Sequence, residues 1–229
     1  MVFPRPVKAV VFDMDGLLIN TEVLWREGMI EAARAIGLDL RMDAFRRMIG
    51  TPATRTREIL HEEFGADFDV DSYLDDAGRR FHDGLDLENI LKAGVVELLD
   101  HLDAVGMPRA IATSSPHEAV EAHLSPSGVL NRFDAVIARG DYERGKPAPD
   151  PFLNAAKALG VAPEDCLALE DSHAGVRAAH AAGMMTVMVP DLLDPTEEMR
   201  EKCVHVAESL HHVRELLGER RAIVRQPPR

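Results

Sequence analysis

A chain of 229 residues with 46% hydrophobic and 28% charged side chains has enough apolar material for one large core, or for a core carrying a smaller insertion. Its formal net charge of −13 argues against nucleic acid and anionic membrane surfaces as partners, since both select basic faces. Cys166 and Cys203 are too few for a disulfide framework, and no run approaches the roughly 18 apolar residues that span a bilayer, so free thiols, no secretory signal and a cytoplasmic address are expected.

Residues 7–12 are a β-branched, apolar run suited to a strand buried on both faces. It leads directly into Asp13-Met14-Asp15-Gly16. Two carboxylates two residues apart at a strand end point toward one site, and the glycine permits a sharp turn. Such a pair can bind a hard cation through oxygen and divide nucleophilic from acid/base work; by itself it is equally a solvated turn. Together with Glu22 the spacing imitates part of a calcium-binding loop. The first ligand position would then be Val11, which has no side-chain oxygen, and a strand precedes it where a helix should, so that reading is rejected.

From about residue 20 to residue 88 the pattern changes. Helical periodicity runs through 22–36, 43–48, 54–64 and 72–85 with no strand between, which predicts an all-helical insertion after the first strand. Trp25 and Met29 fall four apart on one helix face and read as core before substrate contact. Arg47 and Arg55, near Thr51 and Thr54, either reach a second anionic or hydroxylated part of a substrate or lie on a solvated helix face.

Beyond residue 88, helical patterns at 94–105, 118–124, 151–159 and 174–182 alternate with strand-like runs at 109–112, 135–138, 166–169 and 186–189. Strands alternating with helices predict a doubly wound parallel sheet of the α/β class, with ligands beyond the carboxyl ends of its strands. A helical insertion at that edge forms a lid; the alternative is that it merely thickens one side.

Three further strand ends carry chemistry. Thr113-Ser114-Ser115-Pro116 offers hydroxyls and free N–H groups for a phosphoryl oxygen, or a plain helix cap. Gly145-Lys146-Pro147 imitates a nucleotide-binding loop together with Gly140, but proline follows the lysine and supplies neither hydroxyl nor N–H, leaving one rigidly held cation. Glu170-Asp171-Ser172, with Gly175 after it, ends an apolar strand in two acids, which packs poorly unless something cationic meets them. His117 and His173 follow two of these motifs and read as exposed helix starts. The basic, proline-rich residues 225–229 read as a frayed end.

In this order, the four motifs resemble those of the haloacid dehalogenase superfamily over essentially the whole chain, and Asp13-Met14-Asp15-Gly16-Leu17-Leu18 with Thr21-Glu22 is similar to its β-phosphoglucomutase-like sugar phosphatases. The resemblance implies a Rossmann-like core of residues 1–18 and 89–229 with an α-helical cap of residues 19–88. It implies Asp13 as nucleophile, Asp15 as acid and base, and Thr113, the Ser114 backbone and Lys146 as the phosphoryl grip. It further implies Mg²⁺ held by Asp13, the Asp15 carbonyl and Asp171, with Glu170 helping through water. Trp25, Arg47 and Arg55 fall in the cap that would select a small phosphorylated metabolite. A monomer is expected, a weak homodimer being the alternative. An acid at Asp15 favours phosphate esters over carbon–halogen bonds, because an oxygen leaving group needs a proton. The rival activity is a phosphomutase; the histidine and arginine that such mutases carry in the cap fall near Trp25 and Ala53 here, and both are absent. A non-catalytic binding protein on the same fold is the third reading, against which the intact Asp13, Asp15, Lys146 and Asp171 argue.

Overall fold

A computed structural model of the chain describes residues 2–49, 51 and 53–224; the expected frayed end at 225–229 lies outside them. Among the described residues, six strands form one sheet in the order β3-β2-β1-β4-β5-β6, every neighbouring pair parallel. They are β1 (Ala9–Phe12), β2 (Arg109–Pro116), β3 (Ala135–Arg139), β4 (Cys166–Glu170), β5 (Met185–Met188) and β6 (His205–Val206).

The central strands are apolar throughout because both faces are covered: every residue of β1, β4 and β5 is buried. Val10 and Phe12 of β1 enter a core with α5 (Val95–Val105), α6 (His117–Leu124) and α10 (Leu210–Val224), whereas Ala9 and Val11 face α7 (Asp150–Leu159) and α8 (His173–Ala181). The second layer is built largely from alanine, including Ala155, Ala156, Ala178 and Ala179, so its helices lie close to the sheet.

Register sets the level of the chemistry. Phe12 lies opposite both Ile111 and Leu169, so β1 and β4 end level with each other beside β2, and the Asp13 N–H donates to the Leu169 carbonyl at 3.0 Å. Asp13 follows the strand that sits between the other two.

Between β1 and α5 come α1 (Thr21–Ala35), α2 (Met42–Met48), α3 (Ala53–Phe64) and α4 (Val70–Asp83), with no strand among them. They enclose their own apolar cluster, which includes Met29, Ala33, Phe45, Leu60, Tyr73 and Ala77. Helices α1 and α4 meet closely: a Cβ on Gly28 would stand 2.8 Å from the Ala77 carbonyl oxygen, and the buried Tyr73 hydroxyl donates to the Met29 carbonyl at 2.8 Å. The two connections to the sheet run side by side. Ile19 bridges Leu91 in antiparallel fashion, and the Asn20 and Lys92 N–H groups donate to the Ile90 and Leu18 carbonyls, each at 2.9 Å.

The structure departs from the sequence expectations in two places. Strand β2 runs on to Pro116 instead of stopping near 112, with an irregularity in its pairing to β3 between Ala112 and Pro116. Past residue 189, where no element was expected, α9 (Glu197–Lys202), β6 and α10 complete the sheet edge. A two-residue strand is too short to show alternation. The apolar positions of α10 (Leu210, Val213, Leu216, Leu217) are diluted by His and Arg. Both cysteines are free, and no helix among the described residues is long and apolar enough to cross a membrane.

Candidate active site

The site is organised by one ammonium group. Lys146 lies in the loop after β3, next to a cis peptide bond to Pro147, with its side chain only 5% exposed. Its Nζ forms ion pairs with Asp13 after β1 and Glu170 at the end of β4, and sits 5.1 Å from the centre of the Phe152 ring. Burial alone would depress the lysine pKa; the two carboxylates outweigh it, and the net shift is upward.

Asp13, Glu170 and Asp171 are all buried and bring carboxylate oxygens within 4.8 Å of one another. Burial is the main cause that pushes Asp13 up to about 8, with Glu170 and Asp15 adding to the rise and Lys146 opposing it. Asp171 is raised well above the ordinary carboxylate range by burial, then by Asp13 and Glu170. One ammonium does not balance three carboxylates. The group either keeps protons or accepts a cation, and an all-oxygen donor set suits a hard divalent ion.

Two glycines make the cluster sterically feasible. Gly16 has φ +82°, and a Cβ there would lie 2.2 Å from Asp171 Oδ2. A Cβ on Gly175 would lie 1.8 Å from Glu170 Cδ. Glu170 is fully engaged: one oxygen meets Lys146, and the other accepts from the Ser172 N–H at 3.2 Å and the Ser172 hydroxyl at 3.0 Å. Ser172 in turn caps α8 through the Gly175 N–H. Glu170 therefore anchors Lys146 directly.

Asp15 stands apart from the ammonium. One of its oxygens accepts from Thr21 Oγ1 at 2.8 Å, the other from Ser115 Oγ at 2.7 Å. Neither hydroxyl was singled out for this task from sequence; the available signal was the run of hydroxyls after Ala112 and the threonine opening α1. Thr113 is buried, its hydroxyl accepting from the Ser115 N–H at 3.0 Å, and Ser114 beside it is exposed. Glu22, in the first turn of α1, is pushed up to about 7 by burial and by Asp15 and Asp191, with Lys92 opposing.

The remaining sequence candidates lie elsewhere. Trp25 packs edge-on against Phe81 at 5.7 Å, on the core of the helical unit. Arg47 and Arg55 both pair with Glu62, and Arg55 also with Glu58, on an exposed helix surface. His173 Nε2 lies 2.8 Å from the Asp194 carbonyl, and His117 Nε2 lies 2.8 Å from Asp141 Oδ2.

Comparison with known proteins gives a consistent picture. The model of the family described as haloacid dehalogenase-like hydrolase matches residues 10–189. The chain is 32% identical over 180 residues to fructose-1-phosphate phosphatase YqaB of Escherichia coli (strain K12), covering 79% of this chain and 95% of that protein. It is 31% identical over 182 residues to a phosphorylated carbohydrates phosphatase of Thermotoga maritima, covering 78% and 82%. A solved structure of a HAD family hydrolase from Deinococcus radiodurans R1, with bound phosphate and sodium, superposes with a TM-score of 0.77 at 26% identity, covering 93% of this chain and 96% of that one.

Substituting Gly16→Ala forces a methyl group onto Asp171 in a backbone conformation that alanine resists. Titration calorimetry is expected to show divalent-cation affinity reduced by about 10–100-fold, the range found when groups supporting metal ligands are disturbed; unchanged affinity would exclude Asp171 from the cation site.

Proposed function

Since the chain belongs to the haloacid dehalogenase-like hydrolases and is a phosphatase of that family, we propose that it hydrolyses a sugar, polyol or related phosphate monoester through an aspartyl-phosphate on Asp13. The observation that carries this reading is the convergence of Asp13, Lys146, Glu170 and Asp171, delivered by separate stretches of chain, into one buried cluster.

In this mechanism an Asp13 oxygen attacks phosphorus in line while the bond to the leaving oxygen breaks. Asp15 gives its proton to that oxygen, releasing the alcohol. Asp15 then takes a proton from water as the water attacks phosphorus, which frees inorganic phosphate and regenerates both acids. Thr21 and Ser115 hold the two oxygens of Asp15 in place for both transfers. Thr113, the Ser114 N–H and Lys146 grip the phosphoryl oxygens, a task of positioning and charge stabilisation. Mg²⁺, held by Asp13, the Asp15 carbonyl and Asp171, would offset the negative charge that these acids share with the phosphate.

The chain divides, on this reading, into a core of residues 1–18 and 89–229 and a cap of residues 19–88 that selects the substrate. Trp25 supplies an apolar wall of the cap held by Phe81, whereas Arg47 and Arg55 reach a substrate only by releasing Glu62. The small phosphorylated metabolite is the partner, and the reducing interior of the cell suits two free thiols.

A panel of phosphorylated metabolites, assayed with and without Mg²⁺, is expected to show metal-dependent release of inorganic phosphate. Formation of an isomeric sugar phosphate without free phosphate would instead establish a mutase, and failure to hydrolyse even an aryl phosphate would leave only a binding role. Within that assay Asp15→Asn is expected to spare substrate binding and slow turnover by roughly 10²–10⁴-fold; near-normal turnover would contradict its assignment.

Burial also links the site to stability. Burial pushes the Asp13 pKa from 3.8 up to about 8, so without a cation its ionisation disfavours folding progressively as pH rises from about 4 to about 8. A cation that replaces the proton removes this penalty. Scanning calorimetry is expected to show that Mg²⁺ raises the melting temperature, and more at pH 8 than at pH 5.

A further inference from the structure

The loop between β3 and Lys146 carries a side chain that this mechanism does not use. Tyr142 is partly buried, and its phenolic hydroxyl donates to the Thr113 carbonyl at 3.0 Å. Its ring also packs against the turn that delivers the lysine: a Cβ on Gly145 would stand 3.5 Å from Tyr142 Cε2. One aromatic ring thus touches both arms of the phosphoryl grip. Burial raises the phenol pKa; Lys146, the Ser114 hydroxyl and Arg139 oppose the rise, and Asp13 adds to it. The hydroxyl therefore remains a protonated donor within the field of the nucleophile and the ammonium.

The destination of that hydrogen bond matters. The Thr113 carbonyl and the Ser114 N–H belong to one planar peptide unit and point in opposite directions. A donor that fixes the carbonyl fixes the plane, and so aims the Ser114 N–H. The same bond polarises the amide and strengthens it as a donor.

Tyr142 is itself aimed by its neighbour. Asp141 Oδ2 accepts from the Ala138 N–H at 2.8 Å and pairs with His117 Nε2 at 2.8 Å. The Asp141 N–H donates to the Ala138 carbonyl at 3.0 Å, and the Asp141 carbonyl accepts from Asn154 Nδ2 at 2.9 Å. The loop is thereby pinned to β3, to the first residue of α6 and to α7. A tyrosine that merely filled a surface loop would not need four bonds beside it, nor end on the peptide that precedes Ser114.

We propose that Tyr142 is a positioning residue for phosphoryl binding: held by the His117–Asp141 pair, it orients the Thr113–Ser114 peptide so that the Ser114 amide faces the phosphoryl group. This rests on the phosphatase reading above. The test uses the full-length protein with Mg²⁺, inorganic phosphate as the probe in titration calorimetry, and a series of phosphate esters with different leaving groups in the turnover assay. Tyr142→Phe keeps the ring and removes one hydrogen bond; phosphate affinity and kcat/KM are each expected to fall about 3–10-fold, the worth of one such bond. The loss should be the same for every ester, because the phosphoryl group is common to all. His117→Ala, which leaves Tyr142 intact, is expected to reproduce the uniform pattern with a smaller amplitude.

Phosphate affinity and kcat/KM within twofold of wild type in Tyr142→Phe would overturn the proposal, and so would a loss confined to particular leaving groups. Should the wild-type protein bind phosphate yet hydrolyse nothing, the phosphatase reading falls while the binding ratio still decides the role of Tyr142. Should it hydrolyse normally and Tyr142→Phe match it, only the role of Tyr142 falls. Absence of phosphate binding to the wild-type protein would overturn both.

Discussion

The ammonium of Lys146 lies between the carboxylates of Asp13 and Glu170 in a space almost closed to solvent, and much of the sheet edge is arranged around that bridge. Removing these charges from water is costly, and the mutual attraction offsets the cost only where geometry is tight and the remaining lone pairs are satisfied. Glu170 meets that condition through Ser172. Asp13 and Asp171 do not, and their upward-shifted pKa values express the deficit. Central placement of β1, flanked by β2 and β4, serves the same requirement, since it puts Asp13 within reach of groups from both neighbours.

Two acids separated by one residue are given different surroundings. Asp13 faces an ammonium and two carboxylates, whereas Asp15 is held by two neutral hydroxyls. On the mechanism proposed above, a nucleophile must be ionised when it attacks, and an acid/base group must pass a proton in both directions; the Lys146 ammonium serves the first task and orienting hydroxyls the second.

Most of this arrangement was legible in the sequence where a local contrast existed. The apolar runs that end abruptly in acids or hydroxyls are strands of one parallel sheet, and the loss of strand periodicity after residue 20 marked the helical unit. What escaped depends on contacts between distant positions. Ser115 and Asp15 lie 100 residues apart, and no local pattern announces their bond. Gly16 was readable as a turn residue, but its closeness to Asp171 is a property of the assembled sheet edge. The pairing of Arg47 and Arg55 with Glu62 is likewise invisible to periodicity, which shows only that all three lie on helices. Beyond residue 189 the elements are short or chemically mixed, and the last helix is held by packing, not by a sharp apolar stripe.

The antiparallel bridge between Ile19 and Leu91 places the entrance and exit of the helical unit shoulder to shoulder. Whatever chain is spliced between two points already in contact adds an ordering cost that grows only slowly with its length. The sheet edge thus constrains only the start of that excursion, where Thr21 holds Asp15, and leaves its length beyond the first turn of α1 free. Evolution could lengthen or refold the helices beyond that turn while the sheet edge kept its geometry.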